Sequence, residues 1–235
     1  MLYIFHRFCF IIMLGDKMLE LRSNYISVRS GAAYTYGGSQ TLSQSAAVRR
    51  CGCGLIAAAD LILYLCRSRD LPSPVPVNVH GCVDLSDYDR FISTLRRFMP
   101  IVPPFGINGA MLSAGLQIAM KVYGLDYSVR LCVSGEKLFD RIREMLERDC
   151  PVILAVGPNF PQFWGKNRLR LYQRSGEVCF PAASTKAHFV TVTGIDDDWC
   201  KISSWGRELY INIPEYKSYV RQYSNSLLSN IIMLK

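Results

Sequence analysis

Histidine is scarce in this chain: three occur in 235 residues. Any chemistry that needs an imidazole has only His6, His80 and His188 to draw on. Tryptophan is equally rare. There is no internal repeat and no low-complexity tract. No apolar run approaches the about 20 residues needed to cross a bilayer, so no stable membrane association is expected. No CxxC pair recurs at zinc-site spacing, and the nine cysteines are odd in number and irregularly placed. Without a paired disulfide framework, a reducing, cytoplasmic setting is expected. Acidic residues are outnumbered by basic ones, 19 to 27, giving a net charge of +8. That balance favours anionic or acidic partners, but the basic residues are dispersed, as on a solvated surface.

What is present in quantity is apolar residue, half of the chain. That is enough to bury a sizeable core as one domain. Residues 1–17 are set apart from it. Met1–Leu14 (MLYIFHRFCFIIML) is an apolar leader with no small-residue cleavage site after it. It reads as a poor signal segment, which would make the protein secreted, or as a mis-assigned start ahead of Met18. The domain is placed at 18–235.

The stretch Cys51–Leu65 (CGCGLIAAADLILYL) organises the rest. From Leu55 to Leu65 its one charge is Asp60, and Ala57–Ala59 carries the highest helix propensity available. A helix apolar on every side belongs in the core. Asp60 inside it needs a partner, either a basic residue or backbone N–H groups. Cys53 stands at the helix mouth beside Gly54, where the peptide dipoles favour a thiolate.

Down the chain, Tyr25–Val48 reads as strands and loops, and it contains Gln40 and Gln44. Pro72, Pro74 and Pro76 make the connection after Cys66 non-helical. A helix start at Ser86 precedes Tyr88, Phe91, Ile92, Leu95 and Phe98, and Pro100 stops that helix. Asn108 opens a second amphipathic helix closed by Gly124. Tyr127–Val133 alternates as a strand, Glu136–Arg148 is a third helix, and Pro151–Val156 is a buried strand. Asn159–Arg174 is an aromatic and basic loop or hairpin. His188–Gly194, Trp199–Ser204, Tyr210–Ile213 and Asn230–Leu234 read as four more strands. Helices first, then mostly antiparallel strands, give an α+β plan.

A cysteine at the mouth of a buried helix, far upstream of a histidine opening a strand, is the layout a Cys–His dyad needs. A zinc site from Cys51, Cys53 and His188 is the weaker reading, because Cys-x-Cys is poor ligand spacing. Phe163, Trp164, Lys166, Arg168, Arg170 and Arg174 have the composition of a single-strand nucleic-acid grip. A hairpin with a solvated basic face explains them more simply, and no nucleic-acid partner is expected.

CGLIAAADLILYL resembles the nucleophile helix of papain-like cysteine peptidases, especially the bacteriocin-leader peptidase group and its bacterial relatives. AHFVTVTGIDDDWCKISSWG resembles their histidine block, and Ser-Trp-Gly echoes the Asn-Ser-Trp-Gly of papain. The resemblance spans Cys51 to Ile213. It implies a papain-like fold with a buried nucleophile helix on an antiparallel sheet. It also implies hydrolysis of a peptide or amide bond, with Cys53 as nucleophile and His188 as base, on a peptide or protein substrate and without metal or organic cofactor. Ser203 aligns with the family's histidine-orienting Asn or Asp, Gln44 is the nearest candidate for the oxyanion glutamine, and Trp205 falls beside the histidine as a substrate wall. The departures at Ser203 and at the glutamine leave an alternative: a catalytically silent module that binds a peptide or partner protein.

Overall fold

The computed structural model describes residues 18–133, 135 and 137–235, together with the backbone of residues 11–12. In chain order the strands and helices are β1 (Ile11–Ile12), β2 (Leu19–Glu20), β3 (Ser27–Ser30), β4 (Ala33–Tyr34), α1 (Ala46–Cys51) and α2 (Cys53–Ser68). There follow β5 (Cys82–Asp84), α3 (Leu85–Leu95), α4 (Gly109–Val122), β6 (Val129–Cys132), α5 (Leu138–Glu147) and β7 (Val152–Val156). The last are β8 (Leu169–Ser175), β9 (Val178–Thr185), β10 (His188–Ile195), β11 (Trp199–Ser204), β12 (Arg207–Asn212), α6 (Ile213–Tyr223) and β13 (Ile231–Leu234). The protein is α+β: the described residues form six α-helices and a large antiparallel sheet in the order β1-β9-β8-β12-β11-β10-β7-β13-β6, with β2 added against β10. A second small sheet, β4-β3-β5, contains a parallel pair.

Hydrophobic burial explains the layering. β7 (VILAV) is buried at every position, as a strand covered on both faces must be. In α2 every residue from Gly54 to Cys66 is buried, so the helix is enclosed all round. Its mouth lies tight against the sheet. A Cβ on Gly54 would stand 2.8 Å from Ile107 Cγ2 and 3.3 Å from the Phe189 ring. Two residues earlier, Gly52 separates α1 from α2, and a Cβ there would meet Val48 O at 2.6 Å. That tight junction makes Cys53 the first residue of α2.

Asn108 caps α4 as its sequence position implies, accepting from Met111 N–H at 2.9 Å. Asn108→Ala is expected to cost about 1 kcal/mol of stability, read as a lower urea midpoint with unchanged m-value.

Several elements differ from the sequence reading. The separate helix α1 and the small sheet were not anticipated. Neither was α6, although Asn212 accepts from Glu215 N–H at 3.1 Å and Pro214 sits in the first turn. That Asn-x-x-Glu pattern with Pro is a legible helix start. The Asn159–Arg174 segment divides into a loop and strand β8, which pairs with β9 through Ser175↔Val178. α3 begins at Leu85, one residue ahead of Ser86. Of the leader, Ile11 and Ile12 pair with Cys179 and Val178 on β9; whether Met1–Leu14 is a signal segment or a mis-assigned start lies outside the described residues. Among the described residues Cys51, Cys53, Cys66, Cys82, Cys132, Cys150 and Cys200 are free thiols, and no helix is long and apolar enough to cross a membrane.

Candidate active site

Three structural elements converge at the mouth of α2. The helix contributes Cys53, Ile56, Ala57 and Asp60; the start of β10 contributes His188, Phe189 and Thr191. The end of β11 and its turn contribute Ser203, Ser204 and Trp205, and Gln40 completes the lining of one pocket. Its enclosed space takes little more than a water-sized group, so it suits one chemical group of a longer substrate.

Strand alternation decides which serine reaches the imidazole. Thr191 pairs with Ser203 across the β10–β11 ladder, so Ser203 shares the sheet face of Phe189 and Thr191, while Ser204 shares that of His188. The observed contact is His188 Nε2 to Ser204 Oγ at 2.8 Å. Ser203 instead donates to Tyr36 O at 2.9 Å. The histidine partner is therefore Ser204, one residue beyond the position the aligned motif selected.

The oxyanion candidate moves as well. The Gln44 residue is exposed and absent from the pocket lining, and its N–H donates to Asp89. Gln40 lines the pocket, in a one-turn 3₁₀ helix, with Nε2 donating to Arg49 O at 3.0 Å. A fixed count back from the cysteine misses it, because α1 occupies the space between Gln40 and Cys53.

Trp205 stacks on the His188 ring, centroids 4.6 Å apart and planes 21° apart. Its backbone is left-handed at φ 52°, followed by Gly206 at φ 72°. A two-residue turn joining β11 to β12 demands that conformation, and it is uncommon for a bulky residue. The strained turn brings the indole over the imidazole.

Electrostatics at the site run opposite to the thiolate expectation. Burial pushes the Cys53 thiol up from its ordinary value, outweighing the N–H groups of Phe189, Gly54 and Cys53 that pull the other way. Burial also pushes the His188 imidazole down, to about 4. Both groups rest neutral at pH 7, and among the described residues no hydrogen bond joins them. The helix-dipole argument for a thiolate gives way to desolvation, the larger effect in an enclosed site.

Among the described residues Asp60 has no basic partner. Its carboxylate accepts from Gly38 N–H at 3.0 Å, Tyr88 O–H at 2.7 Å and Tyr25 O–H at 3.1 Å. Burial raises its pKa to about 6 in spite of these donors. Cys51 directs its thiol at Ala47 O, 3.2 Å away. Among the described residues no cluster of three His, Cys, Asp or Glu side chains is placed to hold a metal ion. Asp196 bonds the N–H groups of Asp198 and Trp199 at the turn between β10 and β11, at the end of β10 remote from His188. In the aromatic-basic segment, Arg170 pairs with Glu215 at 2.8 Å and the rings of Phe163 and Trp164 are exposed.

Comparison with protein-family models and with curated proteins found no match to this chain.

Proposed function

We propose that this protein is a thiol hydrolase of papain-like architecture that cleaves a peptide or related amide bond. Cys53 is the nucleophile, His188 the base, Ser204 the group that orients the imidazole, and Gln40 a donor to the oxyanion. One observation carries the reading: a helix-mouth cysteine, a strand-start histidine with its hydroxyl partner and stacked indole, and a glutamine all line one pocket.

Because thiol and imidazole rest neutral, the proton must move during attack rather than before it. The Cys53 sulfur adds to the scissile carbonyl as His188 takes its proton. The oxygen that gains charge is met by the Cys53 backbone N–H and the Gln40 amide. His188 then returns the proton to the departing amine as the C–N bond breaks, leaving a thioester on Cys53. Water, deprotonated by His188, releases the acid and restores the thiol. Ser204 accepts from the far ring nitrogen, Nε2–H, which leaves the other nitrogen free to take the thiol proton and holds the ring in register.

The test is acylation by an activated aryl ester, followed by phenolate release and by the mass of the modified protein. Cys53→Ala is expected to abolish the adduct and His188→Ala to slow its formation. Ser204→Ala should slow it about 10-fold, the worth of one orienting hydrogen bond, while Ser203→Ala slows it less. Equal acylation of wild type, Cys53→Ala and His188→Ala overturns the proposal. In that case the second reading stands: a catalytically silent papain-like module that binds a peptide or partner protein. The neutral thiol and imidazole, which no hydrogen bond joins to each other among the described residues, and the small pocket are the observations that favour it.

A further inference from the structure

A buried carboxylate that no catalytic step uses sits two turns down α2 from Cys53. We propose that Asp60 is the positioning residue of this site, clamping the Tyr36–Gly38 backbone onto α2 and thereby fixing Gln40 and Trp205 around Cys53. The inference rests on the hydrolase reading for its consequence in rate, but not for its geometry.

The clamp is tight on both sides. Gly38 N–H lies 3.0 Å from each oxygen of Asp60. A Cβ on Gly37 would stand 2.5 Å from Asp60 Oδ2 and 2.1 Å from Ser203 Oγ, and one on Gly38 would stand 1.9 Å from the Tyr88 hydroxyl. Glycine is required at both positions, and at Gly37, with φ 71°, for its conformation too. On the opposite edge the same segment is tied to the turn that carries Trp205. Tyr36 N–H donates to Gly206 O at 2.9 Å, and Gly206 N–H donates to Gly38 O at 3.0 Å. Gln40 follows two residues later. Any shift of Gly38 off the carboxylate is thus passed to the glutamine on one side and to the indole over His188 on the other.

The clamp depends on charge because of its donor count. An ionised carboxylate accepts two phenol hydroxyls and the Gly38 N–H shared between both oxygens; a protonated one becomes a donor at one oxygen, so the phenol there must turn to accept from it and the Gly38 N–H loses its second full acceptor. The titratable groups around it are Tyr25 beside β3, Tyr88 on α3, Cys53 on its own helix and His188 at the start of β10. Tyr36, packed on Tyr25 with ring centroids 5.0 Å apart, carries Lys201 over its ring at 5.5 Å. Both hydroxyls of Tyr25 and Tyr88 stay protonated, since burial and the Asp60 charge raise them well above their ordinary value. Asp60 itself titrates at about 6.

The experiment is an NMR pH titration of the full chain, alongside the aryl-ester rate. In wild type, the Gly38 amide, the Gln40 side-chain amide and the Trp205 indole N–H are expected to shift together with a midpoint of about 6. The acylation rate falls about 10-fold from pH 7 to pH 5 with the same midpoint. In Asp60→Asn, which cannot ionise, that step vanishes from signals and rate, and the rate at pH 7 drops to the wild-type low-pH level. Tyr88→Phe removes the strongest hydrogen bond favouring the carboxylate, so it moves the midpoint upward and serves if Asp60→Asn does not fold. A Gly38 signal that titrates while Gln40 and Trp205 stay still overturns the proposal, as does a step that persists in Asp60→Asn. Absence of acylation at every pH defeats the hydrolase reading alone, and the NMR signals still decide the clamp.

Discussion

His188→Ala will acylate about 10²- to 10⁴-fold more slowly than wild type at pH 7, the usual contribution of a positioned general base. The size follows from the resting state of the proposed nucleophile. Burial holds the Cys53 thiol above its ordinary value, so very little thiolate exists at neutral pH for an unaided attack. The same burial keeps the imidazole able to accept a proton down to about pH 4. Wild type should therefore show a rate plateau above pH 7, where both Asp60 and His188 are unprotonated. In Asp60→Asn the remaining acid limb lies near 4 and belongs to His188. In His188→Ala the rate should climb about tenfold per pH unit, following thiolate alone, so the gap between variant and wild type narrows in alkali. A variant that keeps the wild-type plateau would falsify the assignment of His188 as base.

The second large effect concerns stability, where the two buried groups act in opposite directions. Asp60 is raised from 3.8 to about 6 on folding. The folded state prefers its neutral form, so stability from this group is complete below about pH 4 and is lost as pH rises through 6. One pKa unit is about 1.36 kcal/mol, so the loss is about 3 kcal/mol. His188 is lowered from 6.5 to about 4. Its folded state also prefers the neutral form, so stability is complete above about 6.5 and about 3 kcal/mol is lost as pH falls through 4. Across this shared window the two terms offset each other in wild type. Removing one partner exposes the other: His188→Ala should lose about 3 kcal/mol between pH 4 and 6.5, and Asp60→Asn should gain a similar amount. Urea midpoints at intervals of pH read both slopes. Parallel pH dependence in wild type and both variants contradicts the burial assigned to these groups.

How much of this could be read in advance differs by element. The long apolar run in α2 has one viable location whatever the topology, because its side chains cannot face water. β7 and β10 were legible for the same reason, and Asn108 for its capping position. α6 carries an Asn-x-Pro-Glu start signal, yet its first residue, Ile213, reads as the end of the preceding strand, since Ile211 and Ile213 look alike in either setting. β9 was hidden by Pro181, a residue that argues against a strand and is accommodated beside a shift in register opposite Leu171 and Tyr172.

The site divides along a similar line. Cys53 and His188 could be named because a helix mouth and a strand start are local features. Ser204 could not be separated from Ser203 without the pairing of β10 with β11, since neighbouring strand residues point to opposite faces. Gln40 could not be separated from Gln44 without knowing that a short helix intervenes. The direction of the Cys53 shift was unreadable as well: the dipole of α2 is local, whereas desolvation by β10 and its neighbours is not.

By itself the sequence determined an enclosed helix beginning at a thiol, a strand beginning at an imidazole, and an α+β order of elements, because hydrophobic period, capping and turn chemistry act over a few residues. Tertiary structure alone decided which hydroxyl meets the imidazole, which glutamine reaches the pocket, and that both reactive groups rest uncharged. Those outcomes depend on strand register and on how much water packing excludes, and both are set by residues far apart in the chain.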